Sequence, residues 1–282
     1  MTASQPGQLY IVATPIGNLS DLSPRAVETL QQVDVIAAED TRHSKHLLQH
    51  YAVATKTISL HEHNEQQRSE LLLQQLLTGE SIALISDAGT PLISDPGYRL
   101  VSLVKQHGIK VVPIPGSCAL IAAMSASGLA SDRFAFEGFL PSKATARRQL
   151  LETLKHDERT LIFYESPRRL ADSLADCEAI FGADRAACLA RELTKLHETI
   201  ETRTLASLRE WVREDENQQR GECVLLIEGA SNKVSKDELE MSRLLELLLP
   251  ELPVKKAAAI ASAITGGSKN EAYQLALKLQ QK

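Results

Sequence analysis

SIALISDAGTPLISDPG, residues 81 to 97, is an apolar run broken by a loop holding two glycines, two prolines and two aspartates, and no lysine or arginine. A short apolar run ended by Gly/Pro punctuation reads as a buried strand whose carboxyl end opens into a rigid loop. The same grammar recurs upstream and downstream. LYIVAT runs into TPIGN (14 to 18), and VVPIP runs into PGSCA (115 to 119). DVIAAE and TISL supply two more β-rich runs, and amphipathic sequence follows each of the five. Strands alternating with helices predict a mostly parallel sheet, an α/β domain over residues 1–130. Ser23 followed by Pro24 predicts a helix start, with serine as cap and proline at the first helical position.

From about Asp132 the rhythm changes. FAFEGF, TLIFYE, AACLARE, HETIETRTL and ECVLLIEG are five strands separated by only two or three helical segments. More strands per helix requires antiparallel pairing, so a second, α+β domain with a mixed sheet is expected over 131–230, its boundary near SGLASDRF (127 to 134). GASNKVS (229 to 235) then reads as a linker into a helical unit, 231–282. There PVKKAAAIASAIT is an alanine-rich helix ended by Gly266 and Gly267, and a further helix follows, as in a helix-turn-helix or a helical hairpin.

The 282 residues suffice for two domains and an appendage. The formal charge of −5 argues against wholesale nucleic-acid binding, yet residues 252–282 carry five lysines against one glutamate, about +4, leaving about −9 elsewhere. That tail suits an anionic partner. No basic leader or long apolar span is evident, so a soluble cytoplasmic protein with no membrane partner is expected. Cys118, Cys177, Cys188 and Cys223 are far apart and read as reduced core thiols. No metal is expected; His61 and His63 of HEHNE are the nearest approach to a ligand pair.

Loops at the carboxyl ends of parallel strands are where open α/β sheets bind ligands. No GxGxxG or GxxxxGK[ST] string exists to cradle a phosphate, and no serine sits in GxSxG. A lysine-free loop with Asp87 at a strand end, and backbone that glycine lets a ligand approach, suits a ligand with a positive centre. Asp95, ahead of Pro96, reads as a cap for the next helix.

The ordered strings LYIVATPIGNLSDLSPRAVETL, VIAAEDTRHSKHLL, SLHEHNE, LISDAGTPLISDPGYRLV, VVPIPGSCALIAAMSASGL, FEGFLPSK, FYESPRRL, ARELTKLHETI and GECVLLIEG span roughly residues 9 to 230. In them the chain resembles the tetrapyrrole-methylase-like, or class III, S-adenosylmethionine-dependent methyltransferases. The likeness is to the branch that modifies ribosomal RNA, where Ser86-Asp87-Ala88-Gly89 stands in place of a GDP-type loop. The resemblance implies the two-domain fold of that family and a homodimer. It also implies 2′-O-ribose methylation of a cytidine in the decoding region of 16S rRNA, on the assembled small ribosomal subunit. A tetrapyrrole methyltransferase of the same fold and a non-catalytic RNA-binding module are the alternatives.

Carried over by position, the cofactor contacts fall on Pro15, Asp87, Ala88, Gly89, Thr90, Ile93 and Ser94. Ser117, Cys118, Tyr164, Leu193, Cys223 and Val224 complete them. A ribose hydroxyl is a weak nucleophile, so a base or electrostatic help is expected near it, and Asp40, Arg42 and His63 are the candidates, with Glu39, His61, Glu192 and Lys195 also in view. Asp40 equally suits a helix cap, and Glu192 with Lys195 an ion pair. RNA contacts are expected from Arg42, Lys45, Lys143, Arg147, Arg168, Lys195, Lys255 and Lys256.

Overall fold

The computed structural model describes residues 6–230 and 236–280, with the side chains of 236–239 left out. Most of the stretch read as a linker, from Ser231 to Ser235, lies outside the described residues. All ten strands expected from the sequence form.

The first part of the chain runs β1 (Leu9–Val12), α1 (Pro24–Gln32), β2 (Val35–Ala38), α2 (Thr41–His50), β3 (Lys56–Ser59), α3 (Glu65–Leu77), β4 (Ile82–Ile85), α4 (Tyr98–Gln106), β5 (Val111–Ile114) and α5 (Ala119–Ala126). Its five strands pair in parallel in the order β3-β2-β4-β1-β5. β2 and β4 are buried at every position, as strands covered on both faces must be. Ile82 and Leu84 point into one apolar layer with Leu72 and Leu76 of α3 and Leu100 and Val104 of α4. Ala83 and Ile85 point into the opposite layer with Ala26 and Leu30 of α1 and Leu48 of α2. The Ser23 hydroxyl accepts from the Ala26 N–H at 3.1 Å, with Pro24 in the first helical position, as expected.

α4 departs from the expected capping. Its N-cap is Gly97, with φ +125°, and the buried Glu65 at the start of α3 accepts from the N–H groups of Gly97 and Arg99 at 3.0 and 2.9 Å. Asp95 therefore does not cap this helix. A distant carboxylate does the work instead, and Asp95 is left to turn elsewhere.

The chain continues through β6 (Phe134–Phe139), α6 (Ala144–Leu154), β7 (Thr160–Glu165), α7 (Leu170–Phe181), β8 (Ala186–Arg191), β9 (Thr199–Thr204), α8 (Leu205–Glu214) and β10 (Cys223–Ile227). These strands form a mixed sheet, β6-β7-β10-β8-β9, antiparallel except for β6 beside β7. Leu120, Ala123 and Met124 of α5 lie on this sheet against Ile162, Cys188, Val224 and Leu226. That shared apolar layer joins the two sheets, and residues 1–152 and 159–228 form one compact unit.

Residues 153–158 and 229–282 form the other compact unit. It holds α9 (Lys236–Leu248), α10 (Val254–Thr265) and α11 (Lys269–Gln280), which enclose a core of Met241, Leu245, Ala257, Ala258, Ala261, Ala272 and Ala276. Small alanines let these helices approach closely. Gly266 ends α10 at φ +74°, the left-handed conformation that glycine adopts without penalty. Among the described residues no helix is long and apolar enough to cross a membrane.

Candidate functional site

Adjacent strands β4 and β1 send their next crossovers in opposite directions, β4 toward β5 and β1 toward β2, which leaves a crevice at their carboxyl ends. A cavity of about 390 Å³ lies there, closed on its far side by the second sheet. The loop after β4 contributes Asp87, Ala88, Gly89, Thr90, Ile93 and Ser94, and the loop after β5 contributes Cys118. From the second sheet come Tyr164, Leu193, Cys223 and Val224. Eleven of the thirteen residues carried over as cofactor contacts therefore line one cavity. Pro15 instead lines a neighbouring cavity of about 530 Å³. Ser117 lines neither, and its carbonyl accepts from the Thr90 hydroxyl at 3.0 Å, a contact that holds the β4 and β5 loops together.

The β4 loop is fixed by its own backbone. Thr14 and Gly89 exchange N–H···O=C bonds of 2.8 and 3.1 Å, which pin the loop to the end of β1. Gly89 has φ +89°, and a β-carbon there would come within 3.3 Å of Ile16 Cγ2. Leu92 and Ser94 also take positive φ, 73° and 68°, at a cost of about 1–3 kcal/mol each for residues with side chains.

No lysine, arginine or histidine lines this first cavity, but five carboxylates do: Glu39, Asp87, Asp95, Glu165 and Glu222. Glu165 is committed elsewhere, to Arg169, Ser173 and its neighbour's N–H, each at 2.6 Å. Asp87 Oδ1 accepts from the Asp40 N–H at 3.1 Å, while the Asp87 N–H donates to Glu39 at 3.4 Å. Burial, then the charges of Glu39 and Asp87, push the Asp95 carboxyl up to about 6, against the Ser86 hydroxyl that favours its ionised form. Its Oδ2 is buried without a hydrogen-bond partner. Glu39 is also raised, chiefly by burial. A cation entering this cavity would relieve carboxylates that crowd one another.

The remaining walls are apolar and aromatic: Ile16, Ile93, Leu193, Val224, Phe139 and Tyr164. Phe139 and Tyr164 meet edge to face, centroids 5.6 Å apart. Burial pushes both the Tyr164 hydroxyl and the Cys223 thiol up to about 12, so neither serves as a base at neutral pH. Asp95, Glu39, Glu222, Ile16 and Phe139 are site residues that the sequence reading did not assign to the cofactor. The one signal for Asp95 was its place in the same loop as Asp87.

Of the catalytic candidates, Glu39 lines that cavity and the others do not. Asp40 is the N-cap of α2: its carboxylate accepts from the Arg42 N–H at 2.8 Å and from the Arg42 guanidinium at 3.1 and 2.7 Å. Those bonds hold Asp40 well below the ordinary carboxylate range, and the helix cap is the alternative the sequence also allowed. His63 is exposed beside His61, ring centroids 5.9 Å apart, and lines neither cavity. Arg42 and Lys195 line the second cavity. Lys195 Nζ bridges Glu192 at 2.8 Å and Glu222 at 3.0 Å, so the ion pair open in the sequence is formed.

Arg147 corrects a second expectation. Its side chain is 5% exposed, with Nη2 2.6 Å from Asp176 Oδ2, so it is sealed off from any phosphate. The carboxylate it faces, which also takes Arg148 at 2.6 Å, offsets the cost of burying this charge. Lys45, Lys143, Arg168, Lys255 and Lys256 are exposed. Among the described residues no cluster of three or more His, Cys, Asp or Glu could hold a metal.

The sequence profile of the Tetrapyrrole (Corrin/Porphyrin) Methylases matches residues 8–209, which contain nearly the whole of this site. The chain belongs to that family. A second profile, the RsmI C-terminal HTH domain, matches residues 235–280. Among curated relatives, the Ribosomal RNA small subunit methyltransferase I of Pseudomonas aeruginosa is 56% identical over 278 residues, covering 98% of this chain and 99% of that one. The protein of the same name from Escherichia coli O157:H7 is 55% identical over 276 residues, covering 97% and 96%. Among solved structures, uroporphyrin-III C-methyltransferase from Thermus thermophilus, complexed with S-adenosylhomocysteine, aligns with a TM-score of 0.54 at 17% identity, covering 79% of this chain and 97% of that one. This last likeness is one of fold. Membership in the methylases makes the chain a methyltransferase, with the two-sheet α/β fold expected of the family.

Proposed function

We propose that this chain is an S-adenosylmethionine-dependent methyltransferase of ribosomal RNA, and that it methylates the ribose 2′-oxygen of a cytidine in the decoding region of 16S rRNA. The assembled small subunit in the cytoplasm is the substrate, and a homodimer is the working form. The observation that carries the reading is the first cavity, acidic, free of basic residues and walled by apolar and aromatic side chains. The residues present fit S-adenosylmethionine: a buried carboxylate oxygen of Asp95 has no partner, and Gly89 presents bare backbone where a β-carbon would crowd Ile16. The names of relatives more than half identical over nearly their full length support the RNA acceptor.

When bound, the cofactor supplies a methyl group on a sulfonium, a leaving group that needs no metal or covalent assistance. Asp87, Asp95 and Glu39 hold the positive charge, and their mutual repulsion falls as it enters. Ile93, Leu193 and Val224 exclude water from the same space. With the electrophile so reactive, the remaining task is to bring the acceptor oxygen into line, which positioning alone accelerates greatly.

Incubation with radiolabelled S-adenosylmethionine and small subunits lacking the modification tests this. Label is expected on a cytidine ribose oxygen. Label that never reaches a ribose oxygen, or that enters a precorrin instead, would refute it.

A further inference from the structure

The second cavity, of about 530 Å³, adjoins the first and is large enough for a nucleotide. The two share four lining residues: Ile16, Asp87, Ala88 and Glu222. Their electrostatics differ. Every basic or imidazole group that lines either one, Arg42, His43, His46 and Lys195, belongs to the second alone. Both carboxylates of the second, Asp87 and Glu222, lie in the shared wall. Among the lining residues the carboxylates thus sit in the shared wall and the basic and imidazole nitrogens lie beyond it, with Arg42 paired to Asp40 and Lys195 to Glu192 and Glu222.

Each basic group is placed by the fold. Arg42 and His46 stand one turn apart on α2, on the same face of the helix, with His43 beside them. The Asp40 carboxylate takes Arg42 Nε and Nη2 and orients a side chain that is 90% exposed. The stem of Lys195 lies across Gly17, where a β-carbon would come within 2.5 Å of Cγ, and Glu192 and Glu222 hold its Nζ. Glu192 and Thr194 take positive φ, 51° and 65°, in the loop that delivers this lysine.

We infer that this second chamber receives the acceptor nucleotide of a single-stranded RNA segment, its phosphodiester against Arg42, His43, His46 and Lys195, its ribose toward the wall shared with the cofactor cavity. The inference rests on the ribosomal RNA methyltransferase reading above and adds the place where the acceptor binds. Arginine suits this role because its planar fork pairs with two phosphate oxygens at once. An extruded nucleotide is also the form in which a ribose can be brought to an enclosed reagent.

The test pairs the Arg42→Gln/His46→Gln double variant with wild type. For the variant, KM for unmodified small subunits should rise about tenfold or more, with affinity for S-adenosylmethionine within about twofold of wild type. Cytidine 3′,5′-bisphosphate, added at millimolar concentration with S-adenosylhomocysteine, should shift the His43 and His46 imidazole signals in the NMR spectrum of wild type. An unchanged KM while wild type still labels RNA overturns the acceptor chamber and leaves the methyltransferase reading standing. Loss of cofactor affinity in the variant overturns the chamber too, since these residues would then be acting through the first cavity. A wild type that binds the cofactor and labels no RNA removes the reading beneath both.

Discussion

Replacement of Asp95 by asparagine removes one negative charge from the cofactor cavity and keeps the side-chain shape. With its carboxyl near 6, Asp95 is about nine-tenths ionised at pH 7 and about one-tenth at pH 5. If the ionised form is what holds the sulfonium, affinity for S-adenosylmethionine falls about tenfold between those pH values, about 1.4 kcal/mol. Asp95→Asn at pH 7 should then bind at least as weakly as wild type does at pH 5, with a shallower pH dependence than wild type. Calorimetric titration reads this directly. S-adenosylhomocysteine, whose sulfur is neutral, is the control and should show a much smaller change. The stability of the ligand-free protein moves the opposite way. A carboxyl raised on folding costs stability as pH climbs from the unfolded value near 4 through about 6, so Asp95→Asn should raise Tm above pH 6 and leave it unchanged near pH 4. An affinity for S-adenosylmethionine that is flat from pH 5 to 7 in wild type, or unaltered in Asp95→Asn, would refute the assignment of Asp95 to the cation.

Asp87→Ala should weaken cofactor binding and leave the melting profile close to wild type, because its main protein contact is one bond from the Asp40 N–H; unchanged affinity by calorimetry would remove Asp87 from the site. Asp176→Asn should destabilise by about 3–5 kcal/mol, since it strands the buried Arg147. Burial alone would raise the Asp176 carboxyl, yet the bonds from Arg148 and Arg147 hold it below the ordinary value. That stability is present above pH about 4 and is lost as pH falls through the lowered value. Urea unfolding measures it, and a loss below about 1 kcal/mol would mean the pair is not sealed.

The strands, the Ser23 cap, the Gly266 stop and the lysine-free loop were legible in the sequence because each depends on neighbours in the chain. Alternation, capping and turn chemistry act over a few residues, and composition shows at once which loops carry no basic side chain. The resemblance placed eleven of the thirteen expected cofactor contacts on one cavity. It placed Pro15 in the next, and Ser117 behind the wall, because backbone neighbours of a site follow the same motif without facing the same space.

What tertiary structure alone decided are the roles set by partners far away in the chain. Asp95 reads locally as a cap, but Glu65, some thirty residues earlier, takes over that duty at α4 and leaves Asp95 among Glu39, Asp87 and a buried void. Arg147 reads as a surface cation in a basic run, but Asp176 draws it into the interior. Glu39 and Asp87 reach each other only because β2 and β4 are hydrogen-bonded neighbours in the sheet. Charge and burial are properties of what surrounds a group in space, and spacing along one strand or helix carries no record of that.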